Sequence, residues 1–245
     1  MFKIKKHDCM KLAVLQYHRL HPELSDKYTV TTTDFKRQLS ILRNSGYNSI
    51  SCSTLYNFLM KVGDLPEKPI LITFDEGYAS QYWHATSALE ENNFHAVFFV
   101  TAGLVLESCC PESNRPAEFM NVDQLRQLQE LGFEIGLRGY ANLNFENSKL
   151  QEIRSDIRRS VLLFNKLELP HTNVLSYPYG AKPNVLWRSH ALYKMLKQEK
   201  IMLAFAIGNR INDLTKAHRF NLYRLEIDGK ENEKNFIKNV REKWN

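Results

Sequence analysis

Short apolar runs alternate along this chain with segments in which apolar residues recur every three or four positions. The run Pro69–Phe74 is nearly continuous, which is typical of a strand in a parallel sheet with both faces covered. The segment after Thr33 has helical spacing, and Thr33 is a suitable N-terminal cap for it. This alternation predicts parallel strands covered by helices.

The same patterns place the remaining elements. Strands are predicted at Leu12–Tyr17, Asn48–Ser51, Pro69–Phe74, Ala96–Val100, Phe133–Leu137, Val174–Tyr177, Met202–Ile207 and Arg224–Ile227. Helices are predicted at Thr33–Arg43, from the cap Ser53 to Val62, and at Tyr78–Asn92, Val122–Leu131 with Asn121 as cap, Lys149–Leu167, Val185–Lys197 and Asn232–Trp244. About eight strands in residues 1–245, without repeats or a linker, suit one barrel domain. The irregular stretch Glu107–Phe119 is predicted to be a loop over the carboxyl ends of the strands, where ligands of such barrels bind.

Composition narrows the functional classes. The net charge of +6 is spread along predicted helices, and no nucleic-acid motif accompanies it. No apolar run approaches the roughly 18 residues of a membrane helix, and no signal peptide follows Met1, so we expect a cytoplasmic protein without a membrane span. The four cysteines have no metal-ligand spacing and are expected to be reduced thiols.

Two segments carry the most specific chemistry. Residues 70–78 read Ile-Leu-Ile-Thr-Phe-Asp-Glu-Gly-Tyr, and residues 133–142 read Phe-Glu-Ile-Gly-Leu-Arg-Gly-Tyr-Ala-Asn. Both resemble signature segments of the polysaccharide deacetylase family, the NodB-homology or carbohydrate esterase family 4 type. Further segments resemble that family in the same order: Val14–Arg19, Thr33–Phe35, Phe94–Val100, Tyr177–Gly180 and Tyr223–Leu225. The resemblance implies an irregular (β/α) barrel of about seven or eight parallel strands.

The resemblance also implies roles for individual residues. Asp75 matches the catalytic base, and His18 matches a general acid toward the leaving amine. The backbone N–H of Tyr179 matches an oxyanion contact, Arg224 an arginine that orients the acid group, and Tyr177 a substrate-binding position. Structural alternatives are open: Asp75 as a helix cap, His18 as a core histidine, and Arg224 in a structural ion pair.

The family's metal ligands are replaced in this chain. The resemblance implies an aspartate and two histidines holding a divalent metal such as zinc, and these positions carry Glu76, Arg138 and Asn142. A guanidinium has no lone pair for a metal, so we expect no metal cofactor. Arg138 is instead predicted to pair with Asp75 or Glu76 and also to contact substrate. Surface exposure of Arg138 and a turn role for Asn142 are the alternatives.

Three functional hypotheses remain open from the sequence. The first is a carbohydrate N-deacetylase of glycan or cell-surface sugar metabolism with an altered site. The second is a non-catalytic relative that binds a carbohydrate or a partner protein through the same cleft. The third is a metal-free hydrolase in which Asp75 is the base, His18 the acid and Arg138 the group that grips an anionic substrate. Loss of both histidines argues against ordinary metal-dependent deacetylation.

Overall fold

The computed structural model describes residues 10–109 and 118–242. Within these ranges the strands are β1 (Lys11–Tyr17), β2 (Arg19–His21), β3 (Thr29–Thr31), β4 (Asn48–Ser49), β5 (Pro69–Glu76), β6 (Ala96–Val100), β7 (Glu134–Leu137), β8 (Val174–Ser176), β9 (Leu203–Ile207), β10 (Asn212–Asp213) and β11 (Leu222–Glu226). The α-helices are α1 (Thr32–Asn44), α2 (Cys52–Leu59), α3 (Ala79–Glu91), α4 (Ala102–Cys109), α5 (Val122–Glu130), α6 (Leu150–Lys166), α7 (Leu186–Gln198) and α8 (Glu233–Glu242). A short 3-10 helix, Pro178–Gly180, follows β8.

Seven parallel strands form a closed barrel. Their order is β1, β11, β9, β8, β7, β6 and β5, and β5 pairs again with β1. The short strand β4 extends the sheet beyond β5, and β10 runs antiparallel to the start of β1. The predicted (β/α) barrel is therefore confirmed, with seven strands in its wall. The carboxyl ends of these strands meet at one end of the barrel, which we call the upper end.

Side chains at alternate positions of each strand point into the barrel. The lower interior is an apolar core that includes Val14, Leu71, Phe99, Val174 and Phe205. The next inward positions toward the upper end are polar and buried: Gln16, Asp75, Arg138, Ser176 and Arg224. The barrel thus contains a polar layer on an apolar floor, and this layer defines the candidate site.

The other alternate positions face the surrounding helices and form the outer core. Phe74 and Phe98 stack there at a centroid distance of 4.8 Å, and Tyr17 stacks on Phe74 at 5.4 Å. Burial of each aromatic side chain contributes roughly 1.5–3 kcal/mol relative to its exposure. This outer core fixes the strands whose inward side chains make up the polar layer.

Two predicted helix caps were wrong by two residues. The cap of α1 is Thr31, whose hydroxyl accepts the Asp34 N–H, and the cap of α2 is Ser51. Both segments contain several Ser or Thr residues, and the cap is the one whose hydroxyl reaches a free N–H of the first turn. The predicted cap Asn121 is confirmed, because its side chain forms a reciprocal capping box with Gln124.

Other boundaries differ from the prediction. Strand β11 begins at Leu222 rather than at Arg224, which places Arg224 inside the strand. Val62 lies beyond the end of α2 and is exposed. Helix α4 covers the start of the predicted loop Glu107–Phe119, and residues 110–117 of that loop lie outside the described residues. No helix in the described ranges is long and apolar enough to cross a membrane.

Candidate active site at the upper end of the barrel

Asp75 lies at the centre of the polar layer and is completely buried. Strand β5 continues through Asp75 to Glu76, whereas the sequence had predicted its end at Phe74. Helix α3 begins after Tyr78, so Asp75 does not cap it, and the helix-cap alternative was wrong. The strand instead directs the Asp75 carboxylate into the barrel.

The Asp75 carboxylate accepts five side-chain hydrogen bonds within the described part of the chain. Arg224 donates to both oxygens, from Nη1 to Oδ1 at 2.6 Å and from Nη2 to Oδ2 at 3.0 Å. Gln16 Nε2 donates to Oδ2 at 2.8 Å and Ser176 Oγ donates to it at 3.1 Å. Arg138 Nη1 also donates to Oδ2. The carboxylate is held in one orientation by four different strands or strand ends.

Arg138 joins Asp75 to Glu76. Its Nη2 donates to Glu76 Oε1 at 3.3 Å, and the hydroxyl of Tyr78 donates to Glu76 Oε2 at 2.6 Å. The predicted ion pair of Arg138 with Asp75 or Glu76 is therefore confirmed, and the structure shows it with both carboxylates. The alternative, that Arg138 is a surface residue, was wrong. Two guanidinium groups, of Arg138 and Arg224, face two carboxylates, so the formal charges of the cluster cancel.

This arrangement fixes Asp75 in its charged form. Burial alone would raise the pKa of Asp75, but the charges of Arg138 and Arg224 outweigh it and hold this pKa well below its usual range. Burial lowers the pKa of Arg224, and Asp75 opposes that shift. A carboxylate stabilised so strongly as an anion is a weak proton acceptor.

His18 lies just above Gln16, one residue beyond the end of β1. Burial lowers its pKa, and the negative charge of Asp75 opposes this only in part. Its Nδ1 is buried and makes no hydrogen bond within residues 10–109 and 118–242. The side-chain amide of Gln81 donates to the backbone carbonyls of both His18 and Asp75, at 2.7 Å and 2.6 Å, and so ties the two strand ends together.

The structure does not bring the remaining predicted residues into this cluster. Tyr177 is fully buried in the outer core, and its hydroxyl donates to the carbonyl of Phe220 at 2.8 Å. Since Ser176 points inward, the next residue on the strand points outward. Tyr179 lies at the rim with φ of 57° and a side chain that is 60% exposed. Asn142 has φ of 52°, and its Oδ1 is buried without a partner among the described residues.

Comparison with known proteins identifies the family. Residues 62–198, more than half of the chain, match the family model described as polysaccharide deacetylase. The chain belongs to the polysaccharide deacetylase family. It is 24% identical over 177 residues to YxkH, a provisionally named polysaccharide deacetylase of Bacillus subtilis (strain 168); this match covers 72% of the chain and 60% of YxkH.

A second curated relative is the poly-beta-1,6-N-acetyl-D-glucosamine N-deacetylase of Escherichia coli (strain K12). It is 29% identical over 86 residues, which are 34% of this chain and 13% of that protein. The matches thus span less than two thirds of the length of either curated relative.

Solved structures of deacetylases share the fold. The Streptococcus pyogenes deacetylase PplD, in complex with acetate, has a TM-score of 0.80 at 17% identity, with 96% of this chain and 100% of that chain covered. IcaB from Ammonifex degensii has a TM-score of 0.77 at 21% identity, with 96% and 97% covered. At these identities the likeness establishes the barrel alone.

The residues of this member of the polysaccharide deacetylase family do not fit the metal ion that the family pattern implies. Among the described residues, no group of three or more His, Cys, Asp and Glu side chains is arranged to hold a metal. At the position of the first expected histidine, the Arg138 guanidinium is bound to Asp75 and Glu76, and it has no lone pair to offer.

Two members of the cluster, Gln16 and Ser176, were missed by the sequence analysis. Each is a polar residue near the carboxyl end of an otherwise apolar strand, in Leu-Gln-Tyr and Leu-Ser-Tyr. A buried polar side chain needs a hydrogen-bond partner, so a polar residue at an inward position of a barrel strand is a signal for a site. The strand register needed to read this signal came only with the structure.

Proposed function

We propose that this chain recognises an N-acetylated polysaccharide at the upper end of the barrel and does not deacetylate it through a metal ion. The observation that carries the proposal is the Arg138 guanidinium, which donates to both Asp75 and Glu76. A guanidinium neutralises the two carboxylates, but it supplies no activated water molecule as a metal ion does.

A carbohydrate ligand is supported by family membership and by the position of the site. The E. coli relative is named for its action on poly-beta-1,6-N-acetyl-D-glucosamine. Ligands of (β/α) barrels bind at the carboxyl ends of the strands, where Asp75 and Glu76 lie. The exposed ring of Tyr179 adds an aromatic surface at this rim.

The bonding of Asp75 argues against its role as a catalytic base. Both carboxylate oxygens already accept hydrogen bonds, and Arg138 and Arg224 hold the pKa of Asp75 well below its usual range against the opposing effect of burial. A general base works best when its pKa lies near the operating pH. Asp75 instead serves as the buried anion that orders the two arginines.

One observation favours a second candidate, a metal-free hydrolase. His18 has a buried Nδ1 without a partner in the described ranges, and burial lowers its pKa, so a neutral imidazole is available near neutral pH. In this candidate His18 would take the proton from the attacking water and return it to the leaving amine. The backbone N–H of Tyr179 would donate to the oxyanion.

The test combines binding with hydrolysis. Calorimetric titration with β-1,6-linked N-acetylglucosamine oligomers is expected to show saturable binding, while acetate release stays at the level of a protein-free control, with or without a chelator. Acetate release that a chelator abolishes would contradict the proposal. Release that survives the chelator and is lost in His18→Gln would support the metal-free hydrolase. Arg158→Ala, which alters an exposed ion pair with Glu199, is the matched control variant.

A further inference from the structure

A cleft opens at the upper end of the barrel, beside the polar layer. It has a volume of about 370 Å³ and lies between the segment after β1 and the start of α3. Its lining includes Arg19, His21, Asp26, Tyr78, Trp83 and Glu118. We call it the Trp83 cleft. A larger cleft of about 740 Å³, lined by Phe58 and Leu214 among others, lies at the opposite end of the barrel.

Tyr78 connects the Trp83 cleft to the Asp75–Glu76 centre. Its ring lines the cleft, and its hydroxyl donates to Glu76 Oε2 at 2.6 Å. Phe119 stacks on this ring at a centroid distance of 5.0 Å, and the Arg19 guanidinium lies 5.6 Å from its centroid. A ligand in the cleft is therefore separated from Glu76 by a single, well-supported side chain.

The cleft combines an exposed aromatic ring with charged side chains. Trp83 is 65% exposed, and Tyr82 packs edge-on against it at 4.8 Å. Arg19 and Asp26, which also line the cleft, form an ion pair at 3.7 Å. A pyranose ring has an apolar C–H face that packs on an indole and hydroxyl groups at its edge that bond to carboxylates and guanidinium groups. A cleft with an aromatic wall and a few polar groups has the chemistry of a sugar subsite.

We infer that the Trp83 cleft binds a second hexosamine unit of the glycan strand whose first unit lies at the Asp75–Glu76 centre. The inference rests on the proposed function and adds a second binding position for the same polysaccharide. Trp83 packs against the ring of the second unit. Arg19 and Asp26 form hydrogen bonds with the hydroxyl groups of that unit. The strand passes between the two sites over Tyr78.

The experiment measures affinity as a function of oligomer length. Wild type, Trp83→Ala and Trp83→Phe are titrated calorimetrically with N-acetylglucosamine and with its β-1,6-linked oligomers up to the pentamer. Trp187→Ala is the matched control, because Trp187 is 71% exposed at the start of α7, away from this cleft. Thermal unfolding midpoints establish that each variant is folded.

Wild type is expected to bind the longer oligomers more tightly than the monosaccharide. Trp83→Ala should lose about tenfold in affinity for the oligomers and keep its affinity for the monosaccharide, whereas Trp83→Phe and Trp187→Ala stay near wild type. Equal oligomer affinity in Trp83→Ala and wild type would overturn the inference and leave the proposed function intact. Equal losses in Trp83→Ala and Trp187→Ala would also overturn it. Absence of binding to any of these sugars in wild type would overturn both.

Discussion

Arg224 donates to both carboxylate oxygens of Asp75 although 149 positions separate the two residues in the chain. Both side chains are completely buried, and the Arg224 guanidinium lies 5.7 Å from the ring centroid of Phe99, in the apolar floor beneath them. A bidentate pair of this kind fixes the plane of the carboxylate as well as its charge. Arg224 therefore fixes the orientation of the carboxylate to which Arg138 also donates.

Replacement of Arg138 with alanine should destabilise the protein strongly. The substitution leaves the buried carboxylate of Asp75 with one cation fewer and removes the partner of Glu76. Loss of one partner from a buried ion pair costs about 3–5 kcal/mol in the free energy of unfolding. Urea denaturation measures this change. Arg158→Ala, in an exposed pair with Glu199, should cost about 1 kcal/mol or less, and equal losses in both variants would contradict the buried role of Arg138.

The Asp75 carboxyl should remain ionised at a pH where ordinary aspartates are protonated. Burial opposes ionisation, but Arg138 and Arg224 outweigh it and lower the pKa. The ionised Asp75 carboxylate therefore adds to the free energy of unfolding above the unfolded-state pKa of about 3.9. This contribution is lost as the pH falls through the folded-state pKa. Carboxyl carbon NMR should show that Asp75 titrates at a lower pH than the other aspartates. The substitution Arg138→Met should raise the pH of its titration midpoint. An Asp75 that titrates at the ordinary value in wild type would refute the ion-pair cluster.

His18 should be neutral at pH 7 and should accept a proton only below the ordinary histidine pKa of about 6.5. Burial is the main cause, with Asp75 opposing it and the two arginines reinforcing it. Because the folded-state pKa is lowered, stability is full above about pH 6.5 and declines as the pH falls from there to the folded-state value. Proton–nitrogen NMR of the imidazole follows the titration, with His18→Gln to assign the signal. A midpoint above the ordinary value would count against a buried neutral His18.

Restoring the family's ligands should create a zinc site. Elemental analysis of the wild type is expected to find no stoichiometric zinc, whereas the triple variant Glu76→Asp, Arg138→His, Asn142→His should hold about one zinc per chain. The positive φ of Asn142 is tolerated better by histidine than by most residues. The variant Glu76→Asp, which keeps Arg138, is the matched control and should stay free of zinc. Wild-type protein with one zinc that is lost on mutation of Glu76 would disprove the guanidinium replacement.

Much of the fold followed from local pattern. The apolar run at β6 was predicted with its observed ends, and α3 and α6 were predicted to within one residue at each end. The positions of Asp75 and Arg138 near strand ends were also predicted from the sequence. These features depend on side-chain periodicity and residue type, which are properties of short segments.

The tertiary structure decided which of these residues meet. Closure of the barrel brings β11 beside β1, so Arg224 reaches Asp75, and strand register turns Gln16 and Ser176 inward while it turns Tyr177 outward. A shift of one residue in register would reverse each of these directions. Local sequence does not specify the register between strands that lie far apart in the chain. The sequence by itself therefore determined that Arg138 and Asn142 stand where the family resemblance implies histidines. Only the closed barrel decided that Arg138 and Arg224 pair with the carboxylates of Asp75 and Glu76.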